Sequence, residues 1–241
     1  MTGPAESSTP ADSPFPADPS LPAAAPVISE EDLADQASPR PLLSSKTVYQ
    51  GRIWNVISDA FALEDGGEPL TRDYIDHPGA VAVLVMNDDG QVLLLRQYRH
   101  PVKMALWEIP AGLLDVAGEG FVAGAVRELA EEADLVASDW NVLADVFNSP
   151  GSSSEAIRIY LARGLTAVPE DQRHVRTDEE AEIQFRWVDL DDAVAAVLDG
   201  SLHNPSAVVG ILAVAAARAS GFANLRPADA PWPAHPSQRG A

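Results

Sequence analysis

The chain has 241 residues, of which 46% are hydrophobic and 22% are charged, and it carries a formal net charge of -20 at pH 7. This composition indicates a globular protein with a hydrophobic core, and the acidic excess argues against nucleic-acid binding through a basic surface. Cysteine is absent, which excludes disulfides and thiolate chemistry and fits a cytoplasmic location.

No segment of the sequence predicts a membrane partner. The N-terminus lacks the basic and apolar pattern of a secretory signal peptide. The longest apolar run near the C-terminus, AVVGILAVAAA at 207–217, is shorter than the roughly 20 residues that span a bilayer. We therefore expect this run to form a buried helix.

The first 76 residues divide into a tail and a β segment. Residues 1–45 are rich in Pro, Ala and Ser and bury too little apolar surface to offset the entropy of ordering, so we predict a disordered acidic tail. From residue 46 the alternation in TVYQGRIWNVISDAFAL predicts one or two strands, followed by a turn at Gly66-Gly67. Residues 46–76 are therefore predicted to form an N-terminal β segment.

The rest of the chain combines strands and helices. AVAVLVM (80–86) and QVLLLRQYR (91–99) flank a glycine-containing turn and predict a β-hairpin. Further strands are predicted in WEIPAGLLD, DWNVLADVFNSP, EAIRIYLARGL and IQFRWVDL, and helices at 120–133, 192–200 and about 205–219. The order of these elements predicts an α/β (α+β) sandwich with a mixed sheet over residues 77–229, and a flexible C-terminus at 230–241.

The predicted helix 120–133 carries a ridge of acidic residues. At about 100° per residue, Glu128, Glu131 and Glu132 lie on one ridge beside an apolar stripe. Like charges four residues apart repel each other by roughly a few tenths of a kcal/mol, yet clustered carboxylates are the ligands that a hard divalent cation such as Mg²⁺ prefers. The helix alone leaves open both a solvated charged face and a metal site. The stripe predicted to be buried consists of Val122, Ala125, Val126, Leu129 and Ala133.

Several residues in and before this helix have a distinctive spacing, namely Gly112, Glu119, Arg127-Glu128-Leu129, Glu131-Glu132 and Leu135. This spacing resembles the signature of the Nudix family. Two positions depart from that signature: six residues rather than five separate Gly112 from Glu119, and Asp134 stands where the family has a glycine. Loops absorb an insertion at small cost, and Asp tolerates the left-handed backbone that often ends such a helix. We therefore expect the signature to keep its function.

The resemblance implies the Nudix α/β/α sandwich and a site for divalent cations. By this resemblance Glu128 and Glu132 are the principal metal ligands, and the backbone carbonyl of Ala111 is a further ligand. Glu131 is implied as a helping ligand and catalytic residue, and Arg127 as the residue that holds a carboxylate in position. The implied cofactor is Mg²⁺, with Mn²⁺ as the alternative, and the metal would accept the substrate's phosphates and activate a water.

Other motifs resemble the ADP-ribose pyrophosphatase subfamily, namely HPGAVAVL at 77–84, QYRH, LWEIPAGLLD and Pro150 beyond the Nudix signature. This resemblance implies a homodimeric enzyme that exchanges its N-terminal β segment and hydrolyses ADP-ribose to AMP and ribose 5-phosphate. Glu155, in the loop after Pro150, is the implied base, with Glu179 and Glu180 as alternatives. Two kinds of alternative stay open. The substrate could be another nucleotide sugar or a dinucleoside polyphosphate, or the chain could be a non-catalytic ADP-ribose sensor.

Four residues are candidates for binding a small nucleotide-sugar substrate. Arg72 and Arg99 are candidates for the diphosphate or the ribose, and Arg99 follows a strand so apolar that its guanidinium would need a partner. Glu108 could bond a sugar hydroxyl. Trp54 could stack on adenine, with packing in the core as the alternative.

Overall fold

The computed structural model describes residues 29–30, 32–176 and 183–238. The chain divides into two units, residues 1–38 and residues 39–241. Among its described residues, the first unit has no helix or strand, and every element named below belongs to the second. Most of the predicted tail therefore lies outside the described residues, as do Glu179 and Glu180.

The elements of the second unit follow one another as strands interrupted by helices. The strands are β1 (Leu42–Gln50), β2 (Asn55–Phe61), β3 (Leu70–Asp76), β4 (Ala80–Val85), β5 (Gln91–Arg99), β6 (Met104–Glu108), β7 (Ala111–Leu113), β8 (Leu135–Phe147), β9 (Ala156–Ala167), β10 (Gln184–Asp189) and β11 (Arg226–Pro227). The helices are α1 (Phe121–Ala133), α2 (Leu190–Leu198) and α3 (Pro205–Ala219), with single 3₁₀ turns at Glu170–Gln172 and Pro236–Gln238.

The central sheet is mixed, as the order of elements predicts. Its five strands run β11-β8-β9-β4-β7. β4 pairs in parallel with β9 and antiparallel with β7, while β8 pairs antiparallel with β9. All six residues of β4 are buried, which is the expected environment of a strand whose two faces are both covered.

Helices cover both faces of this sheet. Val81, Val83 and Val85 of β4 join the core beneath α1, whereas Ala82 and Leu84 join the core formed with α2 and α3. Successive side chains of a strand point to opposite faces, so β4 serves both cores at once. The predicted α/β/α sandwich is confirmed. No helix within the described ranges is long and apolar enough to cross a membrane.

The predicted β-hairpin at 80–99 is wrong. The chain does turn at residues 87–90, where the Asn87 N–H donates to the Gln91 carbonyl, but beyond one bridge between Met86 and Val92 the two strands separate. β5 belongs to a three-stranded sheet of order β10-β5-β6. Because β9 and β7 occupy both edges of β4, no edge is left on which β5 could pair.

The N-terminal β segment forms an antiparallel sheet of order β1-β2-β3. Its first strand begins at Leu42 rather than at the predicted residue 46, and all nine residues of that strand are exposed. The last strand contacts the loop after β8, because the Ile75 N–H donates to the Ser152 carbonyl and the Ser154 N–H donates to the Ile75 carbonyl, both at 2.9 Å. The N-terminal sheet therefore supports the loop that leads to Glu155.

The C-terminal segment differs from the predicted flexible end. Trp232 is only 4% exposed and His235 only 2% exposed. The guanidinium of the fully buried Arg158 bonds both carboxylate oxygens of Asp145, at 2.7 and 2.9 Å, and donates to the Ala230 carbonyl at 2.6 Å. It also lies 5.0 Å from the centre of the Trp232 ring. A buried cation needs such partners, and the C-terminal segment supplies two of them.

Candidate active site

The acidic helix α1 ends as its sequence predicts but buries a different edge. Asp134 follows the last turn with a φ of 54°, in the left-handed region. Ala125 and Leu129 are fully buried. Val126, predicted to be buried, is 39% exposed, whereas Glu128 is only 9% exposed. The helix thus turns a carboxylate, rather than a valine, toward the neighbouring strand.

Arg127 lies among three carboxylates. Its Nε and Nη2 atoms donate to the two oxygens of Glu119, both at 3.0 Å. Its Nη1 atom donates to Glu128 at 2.5 Å and to Glu131 at 3.2 Å. Hydrogen bonding to Arg127 lowers the pKa of Glu119, and the same bond raises the pKa of Arg127. One guanidinium therefore bonds three carboxylates, and the catalytic role implied for Arg127 stays a prediction.

Strand β7 meets the two glutamates predicted as principal ligands. A Cβ atom added to Gly112 would lie 1.9 to 2.4 Å from the carboxyl atoms of Glu128, so only glycine leaves room for that side chain. The Ala111 N–H donates to Oε2 of Glu132 at 2.9 Å. Ala111 and Gly112 therefore place both glutamates beside the same short strand. They do so although the loop between Gly112 and Glu119 is one residue longer than in the signature.

The donor set fits a hard divalent cation. Burial raises the pKa of Glu128, although Arg127 opposes the shift, so this carboxylate would gain from a further positive charge. Among the described residues no group of three acidic or histidine side chains already converges on one point, since Arg127 draws Glu128 and Glu131 to itself. Carboxylate oxygens with a nearby backbone carbonyl are nevertheless the ligands such an ion takes.

Glu155 has its own set of contacts. The Asn148 side-chain amide donates to its Oε2 atom at 2.6 Å, and Nε2 of His77 lies 3.7 Å from its Oε1 atom. In the described part of the chain, no hydrogen bond or ion pair joins Glu155 to Arg127 or to Glu128. Its role as the base stays a prediction. The contacts of Asn148 and His77 with Glu155 were not predicted, although His77 begins the motif HPGAVAVL and Asn148 lies two residues before Pro150.

Two predicted substrate-binding residues bond each other. The Arg99 guanidinium donates to both oxygens of Glu108, at 2.9 and 2.6 Å, in a bidentate pair. The Glu108 side chain is 3% exposed, whereas that of Arg99 is 45% exposed. The expected partner of Arg99 is therefore Glu108. A substrate role for either residue stays a prediction.

The other two candidates lie in the N-terminal sheet. Arg72 is exposed on β3 and donates to the Thr71 carbonyl at 2.8 Å. Trp54 lies in the turn between β1 and β2, and the centre of its ring is 6.4 Å from the centre of the Tyr49 ring. Neither contact brings these side chains to α1, so their roles also stay predictions.

A cleft of about 620 Å³ borders the acidic helix. Arg127 and Glu131 line one side, and the segment Gln172–Val175 lines the other. The sequence analysis assigned no role to this second wall, because residues between β9 and β10 show no periodic pattern. The complete lining is Arg127, Ala130, Glu131, Gln172, Arg173, His174 and Val175.

The sequence that forms this helix and strand matches a family of known proteins. A family model described as the NUDIX domain matches residues 76–207. This chain is a member of the Nudix hydrolase family.

Similar Nudix proteins include two bacterial enzymes. The chain is 43% identical over 190 residues to an ADP-ribose pyrophosphatase of Mycobacterium tuberculosis, a match that covers 79% of this chain and 89% of that protein. It is 30% identical over 169 residues to an ADP-ribose pyrophosphatase of Bacillus subtilis, covering 70% and 89% of the two chains. The predicted resemblance to this subfamily is confirmed.

A solved structure shares the Nudix fold. The crystal structure of an ADP compounds hydrolase superposes with a TM-score of 0.59 at 21% sequence identity, covering 78% of this chain and 99% of that one. At this identity the match supports the fold alone.

Replacing Glu128 by glutamine should lower turnover, and at higher pH it should raise the stability of the metal-free fold. Loss of a principal ligand should lower turnover by more than about a hundredfold. Burial raises the pKa of Glu128 above its ordinary value of 4.5, so ionisation of this group costs the metal-free fold stability. That cost is absent below pH 4.5, grows as the pH rises from there toward the raised pKa, and is constant above it.

Thermal melting of metal-free wild type and Glu128→Gln, from pH 4.5 to 8, checks the predicted effect on stability. The variant should gain stability relative to wild type as the pH rises. Glu64→Gln, at an exposed turn, is the matched control and should change neither turnover nor this pH dependence. Turnover of Glu128→Gln within a few-fold of wild type would show that the metal assignment is wrong.

Proposed function

We propose that this chain is a divalent-metal-dependent pyrophosphohydrolase that splits ADP-ribose into AMP and ribose 5-phosphate. The observation that carries the proposal is the cluster of Glu119, Glu128 and Glu131 around Arg127, with Glu132 bonded to the Ala111 N–H. The similarity to two ADP-ribose pyrophosphatases over 89% of their lengths supports the substrate.

The charge of the chain explains why a cation is needed. A protein with a net charge of -20 repels a diphosphate. Glu128, Glu132 and Glu131, with the Ala111 carbonyl, would hold the cation, for which we propose Mg²⁺. When bound, such an ion neutralises phosphate charge and lowers the pKa of water.

The side chains around this site have separate tasks in hydrolysis. Water adds its oxygen to one phosphorus, the bridging oxygen leaves with the other phosphate, and the water's proton passes to a base. Glu155 is the proposed base, and the Asn148 amide fixes one of its oxygens at 2.6 Å. Arg127 keeps the glutamates from separating, and the Ala111 N–H orients Glu132. Positioning of this kind contributes much of the rate in phosphoryl chemistry.

Hydrolysis of ADP-ribose by the full chain tests the proposal. We expect AMP release with Mg²⁺ and none with a chelator, measured beside GDP-mannose, FAD and diadenosine polyphosphates. Metal-dependent cleavage of another compound in the panel, with ADP-ribose intact, would keep the metal site and overturn the substrate. Binding of ADP-ribose without cleavage of any compound would overturn the catalytic reading in favour of a sensor.

We also propose a cytoplasmic homodimer formed through the N-terminal sheet. Leu42, Leu43, Val48 and Tyr49 of the edge strand β1 are each at least 50% exposed. An exposed apolar edge strand is a surface that a second chain can cover. Arg72, on β3 of the same sheet, would then be able to serve the partner's site.

The molar mass in solution tests the dimer. Light scattering should give twice the chain mass of 25.5 kDa, and Val48→Glu together with Tyr49→Glu should lower it toward one chain because burying two carboxylates at the interface is unfavourable. A wild-type mass of a single chain across the concentrations used in activity assays would contradict the proposal.

A further inference from the structure

Asp134 stands where the Nudix signature has a glycine, and here its side chain has a partner. The Asp134 carboxylate accepts a hydrogen bond from Nη2 of Arg176 at 2.6 Å, and the two side chains are 23% and 21% exposed. A glycine would supply the left-handed backbone but not this ion pair. The departure from the signature therefore adds an interaction that the usual residue cannot make.

Asp134 holds the segment 168–176 at both of its ends. The Val168 N–H donates to the Asp134 carbonyl at 2.8 Å, and Arg176 bonds the carboxylate of the same residue. Within the segment, the Nε atom of Arg173 donates to the Val168 carbonyl at 3.2 Å. Arg176 also lies over the Phe185 ring at 5.4 Å. The segment is thus fixed to the end of the acidic helix.

The fixed segment forms one wall of the cleft beside the proposed catalytic site. Arg173 and His174 line that wall, and Arg127 and Glu131 line the wall opposite. In a chain with a net charge of -20, basic side chains beside a cleft are suited to the anionic part of a substrate. Their position depends on the segment that Asp134 anchors.

We infer that Asp134 is a positioning residue, which acts through Arg176 to hold Arg173 and His174 against the anionic part of a nucleotide-sugar substrate. The inference rests on the proposed function for the identity of the substrate. The ion pair is the contact that the inference depends on, since the backbone bond to Val168 would survive in a glycine variant.

Steady-state kinetics on Asp134→Asn, Asp134→Gly and Arg176→Gln test this role. Each variant should raise KM for ADP-ribose roughly two- to fivefold, the effect of losing one partly exposed ion pair, and leave kcat within about twofold. Glycine is well suited to this left-handed position, so Asp134→Gly should keep the melting temperature of wild type. A role confined to folding would instead lower the melting temperature and leave KM unchanged.

The signs of the effects distinguish anchoring from a simple change in local charge. Asp134→Asn removes a negative charge and Arg176→Gln removes a positive one, so a long-range electrostatic effect on metal or substrate would move KM in opposite directions. Loss of the anchor moves KM in the same direction in both variants. The double variant should then resemble either single variant, because the two residues act as one unit.

A similar ion pair elsewhere in the fold provides the matched control. Arg163 bonds Asp139 at 2.7 Å, and its guanidinium lies over the Phe222 ring at 4.6 Å. Neither residue lines the cleft. Asp139→Asn and Arg163→Gln should therefore leave KM unchanged.

Hydrogen exchange separates failure of this inference from failure of the proposed function. Amides of residues 168–176 should exchange faster in Asp134→Asn and Arg176→Gln than in wild type, without metal or substrate. If the wild type does not hydrolyse ADP-ribose, the proposed function fails while this measurement still tests the anchor. Unchanged exchange and unchanged KM in these variants, or additive effects in the double variant, would overturn the inference.

Discussion

The contact on which the site depends is the bond between Arg127 and the carboxylates around it. Glu119, Glu128 and Glu131 would repel one another in an already acidic chain, and one guanidinium bonds all three. Arg can do this because its planar fork presents several donors in fixed directions. Nε and Nη2 of Arg127 form a bidentate pair with Glu119, which leaves Nη1 to bond Glu128 and Glu131 on the helix. Negative charge can therefore be concentrated before any ion binds.

The fold brings a second constraint to the same place. β4 is buried on both faces and carries β7 along one edge. This pairing sets Ala111 and Gly112 against α1, where the absence of a side chain on Gly112 admits Glu128 and a backbone N–H fixes Glu132. The loop that carries Glu155 is fixed independently, through the end of β3. Contacts with β7 and with the end of β3 thus hold groups that we propose for the chemistry, which depends on precise positioning.

The parts of this arrangement that depend on local patterns could be predicted from the sequence. The spacing of Glu128, Glu131 and Glu132 identified the acidic ridge, and Asp134 has the left-handed backbone expected at its position. Partners distant in the chain could not be predicted. The turn at 87–90 is real, yet its two strands pair with different sheets because β9 and β7 fill the edges of β4.

Charged residues that become buried were the other source of error. The helical wheel placed Val126 in the buried stripe and Glu128 on the ridge beside it. In the structure Val126 is 39% exposed and Glu128 is 9% exposed, and the absence of a side chain at Gly112 leaves room for the Glu128 carboxyl. Likewise, Arg158 lies within a strand, and partners distant in the chain, among them Asp145 and Ala230, make its burial possible. The composition of the C-terminal segment gave no indication that it would supply such a partner.

Binding of Mn²⁺, followed by electron paramagnetic resonance, tests most directly whether these carboxylates form a cation site. The account predicts that wild type binds Mn²⁺ and that Gly112→Ala weakens binding by at least about tenfold, since the added Cβ would occupy the position of the Glu128 carboxyl. Gly151→Ala is the control, because a Cβ at that glycine meets nothing within 4 Å. Equal affinity in wild type and Gly112→Ala would contradict the account.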